Sequence, residues 1–432
     1  MKIYRYIVIL MILSLIIGIF SPSYLLAQKA TTEIKLFLLD IGPEYQRAWK
    51  QIIERYEKRT PGIKITLIYG GWDQGHEKLL VSIAGGTPPD ITQFNDDFIG
   101  DYTYKGILEP LNDLLKDVDW SIFFKAGVDV TRVKGIYRSV GIAHKPRLFY
   151  YNKDLFDKAG VSYLPKTWPG TGWTWDTFLE KARKLTKDTN GDGIPDIYGA
   201  AIGLAGQPPF WWIRNNAPEP CNIITEGKFS MTEPWAIEAL QWCADLSLVH
   251  KVSPPFSVER DVGGRNLFVS QKAAMFFSGS WELPFLRDVK FRWDVGPMPK
   301  KVRATSEASL FNFGIISTSK HKQEAAAFLK YLLTAVEPQA ILAREAGLAP
   351  AKIRECKKLE WLGLPKEVTI NKGMFIEALY NTVYGPFQVP GWYEVYKMLK
   401  VASDEVASGR KTAKQAMEEL GPKAQQILDQ FK

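Results

Sequence analysis

Two hydrophobic periods alternate along the first part of the chain. Residues 33–39 form a β-rich run ending at Asp40-Ile41-Gly42-Pro43, and residues 44–59 then place Tyr45, Trp49, Ile52, Ile53 and Tyr56 on one helical face, stopped by Pro61-Gly62. Ile63, Ile65, Leu67 and Tyr69 alternate as a second strand. A Gly70-Gly71-Trp72-Asp73 loop leads to a helix carrying Leu79, Leu80 and Ile83, and Gly85-Gly86-Thr87-Pro88-Pro89 delivers a third strand over 90–94. This order predicts a parallel βαβ lobe, in which ligands sit beyond the carboxyl ends of the strands. Those ends carry Asp40, Glu44, Trp72, Asp73, Asn95, Asp96 and Asp97, side chains suited to holding hydroxyl groups.

A second informative stretch is 268–282, FVSQKAAMFFSGSWE. Its pattern predicts a helix end, a strand over 273–277 too continuously apolar to face water, and a tight Ser278-Gly279-Ser280 turn before Trp281 and Glu282. Gly and Ser allow a ligand close to the backbone, and an indole face packs on the C–H face of a sugar; a Trp closing off a core at a strand end fits the same residues. Elsewhere, 206–216 is predicted as a loop holding Trp211 and Trp212. As neighbours on extended backbone, the two point to opposite sides, so at least one is expected at a cleft or its rim. An amphipathic helix is predicted over 233–250, a crossover between lobes over 293–299, a strand over 310–317, and helices over 322–333 and 393–406.

Composition narrows the class. The formal charge of +8 is spread along the chain with no arginine block, which disfavours nucleic acid as a partner, whereas 14 Trp, 18 Tyr and 23 Phe exceed what core filling asks for. Residues 1–27 have the basic start (Lys2, Arg5) and short apolar run (7–20) of a secretory signal with cleavage expected after Ala27; no cysteine follows to carry a lipid anchor, and no later segment reaches membrane-spanning length. Cys221, Cys243 and Cys356 show no zinc spacing; a Cys221–Cys243 disulfide and three buried thiols both fit. Asp188-Thr189-Asn190-Gly191-Asp192-Gly193-Ile194-Pro195-Asp196 has the alternating oxygens of a calcium loop, through Asp188, Asn190, Asp192 and Asp196, but Gly199 stands where the closing Glu belongs; a polar turn explains it equally. No other cofactor is expected. There is no G-x-S-x-G, no H-E-x-x-H and no phosphate-cradling loop.

Several motifs occur together in one order: Phe149-Tyr150-Tyr151-Asn152-Lys153-Asp154-Leu155-Phe156, Ala159-Gly160, Pro165-Lys166-Thr167-Trp168, Phe268 with Lys272-Ala273-Ala274-Met275 and Gly279-x-Trp281, Gly296-Pro297-Met298-Pro299, and Ala407–Thr412 before a last helix. Through them the chain resembles the extracellular solute-binding proteins of bacterial ABC importers, in the sugar-binding group that includes maltose-binding protein. Two departures stand out. Gln271 replaces the group's usual Gly and is expected to straighten the turn before the strand; an inserted Pro169–Trp173 segment either reaches the cleft rim or packs on the following helix.

The resemblance implies a two-lobed α/β fold of the type II periplasmic-binding kind, each lobe a mixed, mainly parallel sheet with flanking helices and the ligand cleft between them. Residues 28–143 with 300–345 would form one lobe and 144–299 with 346–432 the other, with crossings near 141–145, 297–301 and 335–350. It implies a non-enzymatic, extracytoplasmic monomer that closes on a carbohydrate and delivers it to membrane permease subunits; a polyamine, suited to the acidic first-lobe set, is the alternative ligand, then a polyol phosphate, and a glycoside hydrolase is the remote one. The loop around 385–392 is implied to face the ligand. Stacking residues on this view are Trp281, Trp72, Trp211 or Trp212, and Trp392; hydrogen-bonding residues are Asp40, Glu44, Asp73, Asn95, Asp97, Lys145 and Glu282.

Overall fold

A computed structural model describes residues 31–72, 74–219 and 222–431; the expected signal at 1–27, Asp73 and Cys221 lie outside the described residues. The first lobe follows the predicted alternation: β1 (Thr32–Asp40), α1 (Pro43–Arg59), β2 (Ile63–Gly71), α2 (Gly75–Ala84) and β3 (Ile91–Phe94). Strands β1 and β2 pair in parallel over their whole length, and β3 joins β1 in parallel. Helix α1 buries Tyr45, Ala48, Trp49, Ile52, Ile53 and Tyr56, a stripe at i, i+3, i+4, i+7, i+8 and i+11, against Ile34, Leu36 and Leu38.

The long strand β4 (Val140–Asn152) carries the chain across. In the second lobe lie α3 (Trp175–Leu185), β5 (Tyr198–Ala201), α4 (Phe210–Asn216), α5 (Pro234–Leu248), β6 (Ala273–Gly279) and β7 (Trp293–Gly296). The chain then returns along β8 (Ala308–Ile315) to the first lobe, adds α6 (Lys322–Thr334) and α7 (Val336–Ala346), passes through β9 (Ala349–Pro350), and ends with α8 (Trp392–Ala407) and α9 (Ala413–Asp429). The nine-stranded sheet runs β2-β1-β3-β8-β4-β6-β5, with β7 and β9 also on β4. Val140–Pro146 of β4 pair with β8, whereas Arg147–Asn152 pair with β6 and β7. The change of partner falls at Pro146, which has no N–H to give to a ladder.

Two elements depart from the sequence pattern. Residues 210–216 are a helix, not a loop, and every one of them is buried; Pro208 and Pro209 just ahead start it. The Gln271 turn is not straightened. Gln271 has φ 59°, its N–H bonds Phe268 O at 2.9 Å and the Lys272 N–H bonds Leu267 O at 2.7 Å, the paired closure of a helix C-terminus in which Gly is the usual left-handed residue. The inserted segment packs: Trp173 is buried with Nε1 donating to Pro297 O at 2.9 Å, and Trp168 Nε1 donates to Ala304 O at 2.7 Å. Among the described residues no helix is long and apolar enough to cross a membrane.

Candidate functional site

Strand β6 ends in the turn that the sequence pattern singled out. Gly279 is extended (φ −101°, ψ 177°), and the Trp281 ring folds back over it so closely that a Cβ on Gly279 would lie 1.9 Å from Trp281 Cζ3. On its exposed side the indole borders a cavity of about 640 Å³ between the lobes, and Trp72, 40% exposed at the end of β2, borders the same cavity.

The floor between these rings is β4. Residues two apart on a strand share a face, so Lys145 and Arg147 both line the cavity. Lys145 Nζ sits 5.4 Å from the Trp72 ring centre and 5.8 Å from that of Phe311. The Arg147 guanidinium is layered between Trp281 (4.8 Å) and Trp211 (5.0 Å). Burial lowers the pKa of Lys145 and of Arg147, with nearby acids opposing that effect. Beneath them Glu307 accepts from Arg214 Nη1 at 2.9 Å and lies 3.8 Å from Arg147 Nε. The walls are completed by Glu44, which pairs with Arg47 at 3.1 Å, by Phe285, and by Arg265, whose guanidinium lies 3.7 Å from the Phe285 ring centre and pairs with buried Glu282. Glu282 also accepts from Ser278 Oγ at 2.8 Å.

A smaller cavity of about 160 Å³ adjoins across Trp72 and is lined by Asn95, Asp97, His76, Tyr393 and Tyr396. Here the start of α8 grips the first lobe: Trp392 Nε1 donates to Asp97 Oδ1 at 2.9 Å, the Gly391 N–H donates to Asp101 Oδ1 at 2.7 Å, and the Phe98 and Tyr393 rings are 4.1 Å apart. Asp97 is pushed up to about 6, chiefly by burial. Its neighbour Asp96 is raised for the same reason while accepting from the Leu310 N–H at 2.7 Å and from Asn312 Nδ2.

Of the expected ligand residues, Glu44, Trp72, Lys145 and Trp281 meet at the larger cavity, and Asn95 and Asp97 at the smaller. The others are placed differently. Trp212 is in the second-lobe core against Trp175, Phe178 and Trp242, because α4 presents no open side. Trp211 lies one layer below the cavity, under Arg147, and Trp392 is fully buried beside Phe210. The 385–392 loop therefore meets residues 97–101 of the first lobe and does not line the larger cavity. Glu282 holds Arg265, and Asp40 accepts from the Gly42 N–H at 3.0 Å and from Gln46 Nε2 at 2.7 Å, outside the cavity. In the candidate calcium loop the oxygens accept from the loop itself: Asp188 from the Gly191 (2.7 Å) and Gly193 (2.9 Å) N–H groups, Asn190 from Asp192 N, Asp192 from Ile194 N, and Asp196 from Thr189. Among the described residues no cluster of three or more His, Cys, Asp or Glu side chains is arranged to hold a metal.

Residues that sequence patterning passed over are Arg147, Arg265, Phe285 and Phe311. Arg147 was findable, since strand alternation from Lys145 puts it on the same face.

Residues 42–337 match the model of a family described as bacterial extracellular solute-binding protein. A binding protein of Brucella abortus is 22% identical over 409 residues, covering 92% of this chain and 93% of the relative. The maltotriose-binding protein of Pyrococcus abyssi is 21% identical, covering 72% of this chain and 65% of the relative. Among solved structures, an ABC substrate-binding protein from Listeria monocytogenes in complex with cycloalternan superposes with a TM-score of 0.81 at 23% identity, over 92% of this chain and 99% of that one. Maltose-bound MalE3 of T. maritima superposes with a TM-score of 0.76 at 21% identity, over 91% and 99%.

Proposed function

We propose, because this chain belongs to the family of bacterial extracellular solute-binding proteins, that it captures a carbohydrate outside the cytoplasmic membrane and presents it to the permease of an ABC importer. The observation that carries this is the pair of partly exposed indoles, Trp281 and Trp72, on one cavity whose floor supplies charged hydrogen-bond donors. Aromatic faces cover the C–H patches of a sugar ring while donors fix its oxygens. The sugar ligands of several relatives, cycloalternan, maltose and maltotriose among them, support the same class.

Closure follows from two lobes that share β4: contacts to both, available only when they approach, favour the closed form and hold the solute for hand-over. The activity is binding without hydrolysis. A hydrolase needs a pair of free carboxylates across a glycosidic bond; Asp96 and Asp97 are instead engaged by Leu310, Asn312 and Trp392. That engagement also takes Asp96 and Asp97 out of the acidic first-lobe set on which the polyamine alternative draws. A thermal-shift screen of the secreted protein against sugars, polyols, polyamines and peptides tests the proposal, since a ligand specific for the folded state raises the midpoint. A sugar hit with no products on prolonged incubation is expected; hits confined to polyamines or peptides, or sugar cleavage, would overturn it.

A further inference from the structure

The balance of donors and acceptors in the larger cavity narrows the class of sugar, an inference that rests on the carbohydrate reading above. Among the described residues Lys145 Nζ makes no hydrogen bond and no ion pair; it lies against the faces of Trp72 and Phe311, with Asp96 and Asp97 near enough to act on its charge but not bonded to it. Arg147 is in a similar condition. Its Nε is buried without a hydrogen-bond partner, its planar faces are occupied by Trp281 and Trp211, and the acid within ion-pair distance, Glu307 at 3.8 Å, is already bonded to Arg214. An ammonium and a guanidinium together offer up to eight N–H donors and no acceptor. The acids nearby are engaged elsewhere: Asp96 and Asp97 take protein donors, Glu282 is spent on Arg265 and Ser278, and Glu44 and Glu345, on the cavity wall and not its floor, pair with Arg47 and Arg344.

A neutral sugar is poorly matched to such a floor. Each hydroxyl brings a donor of its own and wants an acceptor in return, whereas a carboxylate or phosphate accepts only, and charge-assisted bonds to Lys and Arg are the strong ones. We infer that the solute is an acidic carbohydrate whose anionic group is seated on Lys145 and Arg147, with its ring between Trp72 and Trp281. Carboxylate and phosphate share this chemistry, so the test includes both: digalacturonate and glucuronate on one side, glucose 6-phosphate on the other, each beside a neutral counterpart (digalactose, glucose).

Titration calorimetry on the wild-type protein is expected to give tighter binding of an acidic member by roughly tenfold or more over its neutral partner, the gap narrowing as salt rises. Lys145→Met should weaken the acidic member more than its neutral partner and so reduce the gap; equal losses for both would overturn the inference. Lys145→Gln provides the same measurement if the methionine variant does not fold, and the salt dependence of the wild type needs no variant. Neutral sugars binding as tightly as acidic ones would overturn this inference alone and leave the carbohydrate reading in place. Silence toward both, with a response to a different solute class, would overturn the two together.

Discussion

Gly279→Ala is the substitution for which the structure makes the sharpest demand. The backbone there is extended, so alanine is tolerated conformationally and the effect is purely steric. The new methyl would stand 1.9, 2.3 and 2.3 Å from three atoms of the Trp281 ring, where ordinary contacts begin near 3.4 Å, so the indole must move away by more than an ångström. Displacing it forfeits aromatic stacking on the ligand, about 0.5–1.5 kcal/mol, and the burial of one ring face, about 1 kcal/mol at ~25 cal/mol per Å². A total near 2 kcal/mol is roughly a 30-fold rise in Kd. The assay is titration calorimetry with the sugar the wild type binds, accompanied by urea unfolding to show that the fold persists. An unchanged Kd would refute the steric argument. A cycle with Trp281→Ala sharpens it: if glycine acts through the indole, adding Gly279→Ala to Trp281→Ala changes little more, and full additivity would show that it does not.

Gln271→Gly relieves a left-handed residue that costs ~1–2 kcal/mol, less the ~0.5–1 kcal/mol that a glycine loses in backbone entropy and the 3.3 Å bond from Asn152 Nδ2. The urea midpoint should rise slightly at constant slope, and a fall would refute the strain. His144, buried with Nδ1 2.8 Å from Tyr384 Oη, is lowered to about 4 by burial, so its contribution is complete above about pH 6.5, where the unfolded residue is neutral too, and is lost as pH falls toward 4. The melting-temperature difference between wild type and His144→Gln should therefore shrink on going from pH 7 to 5, taking the opposite pH response of Asp96 and Asp97 out of the comparison; a constant difference would refute it. Chelation should leave the midpoint unchanged, because Asp188, Asp192 and Asp196 already accept from their own loop, and a calcium-reversible drop would overturn that. Cys243 and Cys356, both buried free thiols, should react with a thiol reagent only after denaturation; prompt modification of either in the native protein would contradict their burial.

Periodicity is legible in the sequence where a single face is buried. The stripe on α1 and the alternation in β2 needed no tertiary knowledge, and the small residues before Trp281 correctly marked a tight turn at the end of a strand. It failed where burial is all-round. The run 210–216 is buried on every side, so alternation does not tell strand from helix, and the expectation that at least one of its two tryptophans reaches a cleft or rim has no open face to meet it. Glu282 illustrates a different limit: its acid is claimed by Arg265, and Asp97's by Trp392, partners separated by 17 and 295 residues that meet only through the fold. Polar residues at strand ends could thus be placed near the cleft, but whether each faces solute or protein depends on long-range pairing.

The sharing of β4 between the lobes has a consequence for how the molecule comes apart. A strand whose Val140–Pro146 half pairs with β8 and β9 and whose Arg147–Asn152 half pairs with β6 and β7 is an interior strand of the one sheet on both sides of the crossing. Melting either lobe would strip one half of it of its ladder and bare a sheet edge in the survivor, a cost that neither lobe bears while both are folded. Unfolding should be correspondingly concerted, with hydrogen exchange along β4 the slowest in the chain on both sides of Pro146.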